Sequence, residues 1–342
     1  MTLPPTRIGR SIYLQLCPRI QSTFAYKGII QPPNRSMASS AKASSRLLDV
    51  KDSEWKPAFI YGTAWKKERT AELVKLAVQN GYRSIDTAAQ PKHYQEDLVG
   101  DALREVYAQN VVARKDLYVQ TKYTTPAGQD PSNMPYDASA PLEDQIHTSV
   151  ASSLKNLRPS PSSEEDSYVD ALLLHSPLPT VEQTLQAWSI LESYVPGKIR
   201  SLGISNVTLP VLKSIYENST VKPSVVQNRF YPQTRYDGLL RAFCSQHGIT
   251  YQSFWTLTGN PRLLKSEPVV QLSNDVGVSN EAALYALVMD QGIVVLNGTT
   301  SVKHMEDDAS GIRKVREWAQ SNDREWSAIV EAFGRAISSN LV

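Results

Sequence analysis

The chain has 342 residues, and its apolar share of 41% and charged share of 20% are typical of a globular protein of one large or two ordinary domains. No apolar run reaches the length of a membrane span, so we expect no transmembrane segment. Seven of the 36 basic residues precede Asp49, which leaves 29 basic against 34 acidic residues in the rest of the chain. That net charge of −5 argues against a nucleic-acid partner, and two cysteines are too few for a disulfide framework or a metal cluster.

Residues 1–48 form a basic leader without Asp or Glu, rich in Arg and Ser, which is the composition of a mitochondrial transit peptide. A disordered extension is the alternative, because five prolines interrupt any long helix in this stretch. Met37 offers an internal start that would give a leaderless form. We therefore predict a mitochondrial or cytoplasmic location, with a single domain over residues 49–342.

From Phe59 onward, strand and helix patterns alternate along the chain. The predicted strands lie at 59–61, 83–86, 117–122, 169–175, 199–204, 225–229, 249–254 and 293–296. The predicted helices are 70–80, 96–107, 142–157, 180–195, 209–216, 238–245, 279–289 and 302–309, with apolar residues on one face of each. Eight strand–helix units predict an α/β protein, a (β/α)₈ TIM barrel, and residues 323–338 add one C-terminal helix. No Gly-x-Gly-x-x-Gly follows a strand, which counts against a doubly wound dinucleotide fold.

Polar side chains end three successive strands. Asp86, Lys122 and His175 follow strands two, three and four, and Tyr94 lies in the loop after strand two. In a barrel the carboxyl ends of the strands share one face, so these four groups converge there. Taken singly, each of the four also has an ordinary structural explanation. Asp86 could cap a helix or loop, Lys122 could extend to solvent, and His175 could be a hydrogen-bonded core residue. Tyr94 could cover the core with its ring.

Together the four groups predict a proton-transfer site. A free phenol has a pKa of about 10. A lysine ammonium within about 4 Å of the phenolate would lower that pKa, because the attraction between the two charges is worth about 4 kcal/mol at an effective dielectric constant near 20. Asp86 would hold Lys122 charged and aimed, and His175 would orient a substrate oxygen. The arrangement is that of a general acid beside a carbonyl group.

Six motifs, in this order, resemble those of the aldo-keto reductase family over roughly residues 59–308. They are GTAW at 62–65, GYRSIDTA at 81–88, VQTK at 119–122, LLLHSP at 172–177, GISN at 203–206 and VQN at 226–228. The resemblance implies that Tyr94 is the acid, that Lys122 and Asp86 tune it, and that His175 positions the carbonyl. It also implies a hydride from NADPH, with NADH as a possible substitute, and neither a Rossmann fold nor a metal.

The resemblance also implies a cofactor extended across the mouth of the barrel. Ser205, Asn206 and Gln227 match positions that hold the carboxamide, and Phe254 matches a tyrosine that stacks on the nicotinamide. The remaining matched cofactor positions are Thr63, Leu257, Gly298, Thr299, Ser301 and Lys303. Trp65 would line the carbonyl pocket. Strand-end capping is the alternative for the carboxamide set, a core position for Trp65, and a solvated helix position for Lys303.

Two departures from the family pattern bear on these assignments. Asp86 and Tyr94 are eight residues apart instead of five, which indicates an insertion within residues 89–93. The lysine and arginine that usually clamp the 2′-phosphate of NADPH are replaced by Gly298 and His304. The turn at 298–301 would bind the phosphate through backbone donors, so we predict a weaker preference for NADPH over NADH.

The sequence therefore predicts a monomeric reductase of small carbonyl compounds. The first alternative is a non-catalytic nicotinamide-nucleotide sensor of the same fold, since a fold does not determine function. The second is a structural or interaction module, which would leave four buried ionisable groups without a purpose. The loop 126–141 is predicted to shape the substrate pocket.

Overall fold

Eight parallel strands close into a barrel in which each strand pairs with the next and β8 pairs with β1. Their bounds are β1 Phe59–Gly62, β2 Ser84–Asp86, β3 Tyr118–Tyr123, β4 Ala171–Leu174, β5 Leu202–Ser205, β6 Val225–Arg229, β7 Thr250–Phe254 and β8 Val294–Asn297. The computed structural model describes residues 58–162 and 165–338, so the predicted leader lies outside the described residues. The predicted TIM barrel is confirmed.

The helices follow the strands around the outside. Within the described residues they are α1 Thr70–Gln79, α2 Glu96–Ala108, α3 Leu142–Asn156, α4 Val181–Glu192, α5 Leu209–Asn218, α6 Gly238–Gln246, α7 Glu267–Val276, α8 Asn280–Asp290, α9 Val302–Ser321 and α10 Asp323–Ser338. Thr180 caps the start of α4, because its side chain accepts the N–H of Gln183. No helix in this part of the chain is long and apolar enough to cross a membrane.

Two helices differ from the prediction. Helix α7 was not predicted, and its Pro268 lies in the first turn, where proline fits a helix. Helix α9 continues to Ser321, well beyond the predicted end at Ala309. Gly311 lies inside it, where a Cβ would come 2.6 Å from the Cβ of Ala282, so this glycine permits close packing against α8.

The inside of the barrel changes from apolar to polar along its axis. At one level the strands contribute Tyr118, Ala171, Leu173 and Val225, which form a small buried cluster of their own. Gln120 and Gln227 lie two residues further along β3 and β6 and are also buried. Side chains two residues apart lie on the same face of a strand, so both glutamines face the inside of the barrel as Tyr118 and Val225 do. The polar level lies next to the carboxyl ends of the strands, where the predicted site residues stand.

Candidate active site

A cleft of about 920 Å³ opens at the carboxyl ends of the strands. Its walls include three of the four predicted catalytic residues, Asp86, Tyr94 and His175. None of the residues 126–141 lines it, so this loop does not form the wall of the cleft directly. The loop instead packs on the barrel wall, where Tyr136 stacks on Tyr123 and donates its hydroxyl to the carbonyl of Thr124.

Asp86 and Lys122 form a buried ion pair at the floor of the cleft. Lys122 Nζ lies 2.6 Å from Asp86 Oδ1, and the two side chains are 1% and 3% exposed. The ammonium also donates to the carbonyl of Thr87 at 2.9 Å. Burial lowers the pKa of Lys122, and the Asp86 carboxylate opposes that shift. The predicted pairing of a buried carboxylate with a cation is therefore present in the structure.

A layer of glutamines supports this pair from below. Asp86 Oδ1 also accepts from Gln120 Nε2 at 2.6 Å and from Gln227 Nε2 at 3.0 Å. Gln252 Oε1 accepts from the same two amides at 2.8 and 2.9 Å, and its own amide donates to Gln120. Gln120 and Gln252 were not predicted as site residues, although a polar side chain inside an apolar strand was the available signal. The layer holds the carboxylate in one orientation.

The insertion 89–93 places Tyr94 over the ion pair. It folds into a turn in which the N–H groups of His93 and Tyr94 both donate to the carbonyl of Gln90 at 3.0 Å. Gln90 Nε2 in turn donates to the carbonyl of Gly128 at 2.6 Å, which ties the turn to the loop after β3. The Tyr94 ring then has its centre 5.3 Å from Lys122 Nζ and 5.9 Å from the centre of the His175 ring.

The pKa of Tyr94 is shifted in the direction opposite to the expectation. Burial raises the pKa of Tyr94 well above its ordinary value, and the charge of Asp86 adds to the rise. The Lys122 ammonium alone would lower this pKa, but Asp86 pairs with that ammonium and burial disfavours the phenolate. Tyr94 therefore keeps its proton throughout the neutral range in this structure.

His175 is a neutral imidazole at the wall of the cleft. Burial lowers the pKa of His175 to about 3, and the nearby charge of Lys122 adds to the effect. Its Nδ1 lies 2.6 Å from the hydroxyl of Thr124, two residues after Lys122. When this hydroxyl donates to Nδ1, the ring proton resides on Nε2, which can then donate to a substrate oxygen. Thr124 was not predicted as a site residue. Its only signal in the sequence is that it follows Lys122 by two residues, which places both side chains on the same face of an extended chain.

The three residues predicted to hold a carboxamide line the cleft next to His175. Asn206 has φ of 53°, a left-handed conformation that asparagine tolerates, and its Nδ2 donates to the carbonyl of His175 at 2.9 Å. Ser205 donates to the carbonyl of Gln227 at 2.7 Å. These bonds are the strand-end capping given as the alternative, and they also hold the side chains at the wall of the cleft.

The other predicted cofactor positions divide into two groups. Phe254, Leu257, Gly298 and Thr299 line the cleft. Three positions do not line the cleft, namely Thr63, Ser301 and Lys303. Thr63 donates to the carbonyl of Asp86 at 2.9 Å, and Ser301 accepts the N–H of His304 at the start of α9. Lys303 pairs with Asp307 at 2.5 Å. The N–H of Thr299 is also taken, by Asn297 Oδ1 at 2.8 Å. The 298–301 turn therefore has fewer free backbone donors for a phosphate than its sequence predicts.

Further cleft residues were not predicted. Lys66 is buried and donates to the carbonyl of Gly298, and burial lowers the pKa of Lys66. Three carboxylates on α8 and α9, those of Glu281, Asp307 and Asp308, also line the cleft. Burial raises the pKa of Asp308 to about 6, while Asn297 donates to it at 2.6 Å. The end of the cleft near β8 therefore carries one buried cation among several acids.

Trp65 stands at the rim of the cleft and is not a core residue. Its side chain is 66% exposed, and its ring lies 3.8 Å from the ring of His93, centre to centre. The predicted substrate-facing position fits this placement. Among the described residues no group of three or more His, Cys, Asp or Glu side chains is arranged to bind a metal ion.

The chain is similar to known proteins in sequence and in fold. The model of the Aldo/keto reductase family matches residues 55–330. The chain is 28% identical over 262 residues to glyoxal reductase of Bacillus subtilis, covering 76% of this chain and 83% of that protein. It is 28% identical over 290 residues to a methylglyoxal reductase of Escherichia coli O157:H7, covering 82% and 96%. A Bombyx mori aldo-keto reductase solved in complex with NADP shares the fold, with a TM-score of 0.62 at 21% identity over 79% of this chain and 92% of that chain.

Proposed function

The chain belongs to the aldo/keto reductase family, as the motifs predicted, and we propose that it reduces an aldehyde or ketone to an alcohol with NADPH. One observation carries the proposal: the buried Asp86–Lys122 pair lies directly beneath Tyr94, with the neutral His175 beside it, in a long cleft. Tyr94 keeps its proton, and the neutral His175 beside it can donate a hydrogen bond. Both properties suit a reaction that ends with protonation of the carbonyl oxygen.

The cleft has the chemistry that a nicotinamide dinucleotide requires. Its volume of about 920 Å³ lies in the range of cofactor sites. Ser205, Asn206 and Gln227 offer hydroxyl and amide groups for a carboxamide, and Phe254 offers a ring face. Lys66 supplies a cation for a phosphate. When bound, the reduced cofactor would supply the hydride.

The residues of this chain then act on the carbonyl oxygen. His175 Nε2–H and the Tyr94 hydroxyl would both point at that oxygen and hold the carbonyl in one orientation. Charge that develops on the oxygen makes it far more basic than a phenolate, so the Tyr94 proton moves to it despite the raised pKa. The Lys122 ammonium stabilises the phenolate that remains.

A panel of aldehydes and ketones, offered with each reduced cofactor, tests this proposal. Glyoxal and methylglyoxal belong in the panel, because two relatives are named for their reduction. We expect oxidation of NADPH that depends on the carbonyl compound and yields the matching alcohol. A protein that binds NADPH and reduces none of the panel would favour the nucleotide-sensing alternative.

The choice between NADPH and NADH depends on the charges at the β8 end of the cleft. We expect NADPH to be preferred modestly, because Lys303 is already paired with Asp307 at 2.5 Å. Asp307→Asn removes this acid and frees Lys303, so the ratio of kcat/KM for NADPH to that for NADH should rise roughly threefold to tenfold. Steady-state kinetics with both cofactors measures the ratio.

Glu331→Gln is the matched control, since Glu331 forms the same kind of i,i+4 pair with Arg335 on α10, away from the cleft. An unchanged ratio in Asp307→Asn would show that this end of the cleft does not meet the 2′-phosphate. A preference of the wild type for NADH would contradict the proposed cofactor.

Localisation is a separate prediction, since it rests on the seven basic residues before Asp49. Residues 1–36 fused to a fluorescent reporter should direct it to mitochondria. The same fusion with Arg7, Arg10 and Arg19 changed to glutamine should stay in the cytosol. A diffuse signal from the unchanged fusion would contradict import.

A further inference from the structure

Arg229 is a cation in the cleft with no role in the chemistry proposed above. It ends β6, two residues after Gln227 and therefore on the same face of the strand, and it lines the cleft. Its guanidinium carbon lies 5.2 Å from the centre of the Phe254 ring and 4.7 Å from that of Trp255. The two aromatic faces and the half-buried position restrict the arginine to one region of the cleft.

The guanidinium of Arg229 is not neutralised within the described part of the chain. Its Nη1 donates to Asn206 Oδ1 at 2.8 Å, and no described carboxylate oxygen lies within ion-pair distance of it. Two other arginines, Arg114 and Arg200, are neutralised by ion pairs, because both contact the carboxylate of Asp170, at 2.9 and 3.2 Å. A guanidinium has five N–H donors, so Arg229 can offer further donors and a full positive charge to a ligand in the cleft.

Arg229 stands close to the reacting groups. Asn206 accepts from Arg229 with its oxygen and donates to the carbonyl of His175 with its nitrogen, at 2.8 and 2.9 Å. A single side chain therefore separates the guanidinium from the backbone of His175. The buried cation at the other side of the barrel mouth, Lys66, is bound to Gly298 after β8. The cleft thus offers one cation for the cofactor phosphates and a second one beside the carbonyl site.

We propose that Arg229 binds a carboxylate of the substrate, so that the preferred substrates are carbonyl compounds with an acid group, such as aldehydic acids and oxo acids. The planar fork of guanidinium donors matches a carboxylate through two parallel hydrogen bonds, and the aromatic faces exclude water from one side. This inference rests on the proposed carbonyl reduction and adds a class of substrate to it.

Two aldehydes of one shape and different charge test the proposal. They are 4-formylbenzoate and its neutral amide, 4-formylbenzamide, measured with saturating NADPH. In the wild type, kcat/KM should be higher for the acid. In Arg229→Gln, kcat/KM for the acid should fall by roughly tenfold to a hundredfold, the effect of one charge-assisted contact, while that for the amide changes less than about threefold. Arg229→Lys should lie between the two, because it keeps the charge and loses the fork.

Arg235→Gln is the matched control, since Arg235 is exposed, follows β6 by six residues and does not line the cleft. It removes the same charge and should leave the ratio of acid to amide unchanged. Equal losses for acid and amide in Arg229→Gln would overturn the proposal. So would a rise in KM for NADPH with an unchanged ratio, which would assign Arg229 to the cofactor phosphates.

A binding measurement separates this inference from the proposed function. Calorimetric titration of 4-formylbenzoate and 4-formylbenzamide into the wild type and Arg229→Gln, both saturated with NADP⁺, requires no turnover. Tighter binding of the acid that is lost in Arg229→Gln supports the anion site even in a protein that reduces neither compound. Equal affinities for acid and amide in the wild type would refute the anion site, whatever the outcome for catalysis.

Discussion

Tyr94→Phe is expected to lower kcat by roughly 10²- to 10⁴-fold, the usual contribution of a general acid, and to leave the affinity for NADPH nearly unchanged. The physical reason is that the variant retains the ring over Lys122, at 5.3 Å in the wild type, and loses only the proton donor. Steady-state kinetics and a fluorescence titration with NADPH measure the two quantities.

Tyr231→Phe is the control for the tyrosine variant. Tyr231 loses a hydroxyl in the same change, but its ring packs edge to face on Trp255 and does not line the cleft. Its kcat should stay within about threefold of the wild-type value. Near wild-type turnover in Tyr94→Phe would mean that the insertion 89–93 has moved Tyr94 away from the reacting oxygen.

Lys122→Met is expected to remove nearly all activity and also to destabilise the protein. Breaking a buried ion pair from one side leaves an uncompensated charge, at a cost of about 3–5 kcal/mol in the free energy of unfolding. Asp86 keeps its bonds from Gln120 and Gln227 in this variant, so we expect the lower end of that range. The double variant with Asp86→Asn should be as inactive as Lys122→Met and yet more stable, because no buried charge is left unpaired.

A double-mutant cycle measures this coupling, with urea unfolding for stability and kcat for activity. The control pair is Lys75 and Glu105, whose charges lie 2.8 Å apart while the side chains are 30% and 47% exposed. Their coupling in stability should be below about 1 kcal/mol. Strictly additive losses for Lys122 and Asp86 would contradict the account of the pair as one unit.

Much of the barrel could be predicted because buried strands have a strong local signature. The segment 171–174, which directly precedes His175, is apolar without interruption. Once eight such strands are counted, barrel geometry alone brings their carboxyl ends together. Helix α7 does bury one face through Val269 and Leu272, but Pro268 in its first turn resembles a helix breaker.

Residues that depend on three-dimensional neighbours could not be predicted in the same way. Lys66 and Arg229 follow or end strands as ordinary charged residues, and only the closed barrel shows that both enter one cleft. The glutamine layer joins residues 132 positions apart, Gln120 and Gln252, which no local pattern connects. The pKa of Tyr94 depends on how much water its hydroxyl meets, and burial is the main cause of its rise.

The most direct test of the central claim is to follow the hydride. NADPH that carries deuterium at the transferable position should be mixed with the purified chain and the carbonyl compound it reduces fastest, and the alcohol should be analysed by mass spectrometry and NMR. The account predicts one deuterium on the former carbonyl carbon for each NADPH oxidised, and a rate of transfer that Tyr94→Phe lowers by at least about a hundredfold. Binding of NADPH without deuterium transfer to any carbonyl carbon would contradict it.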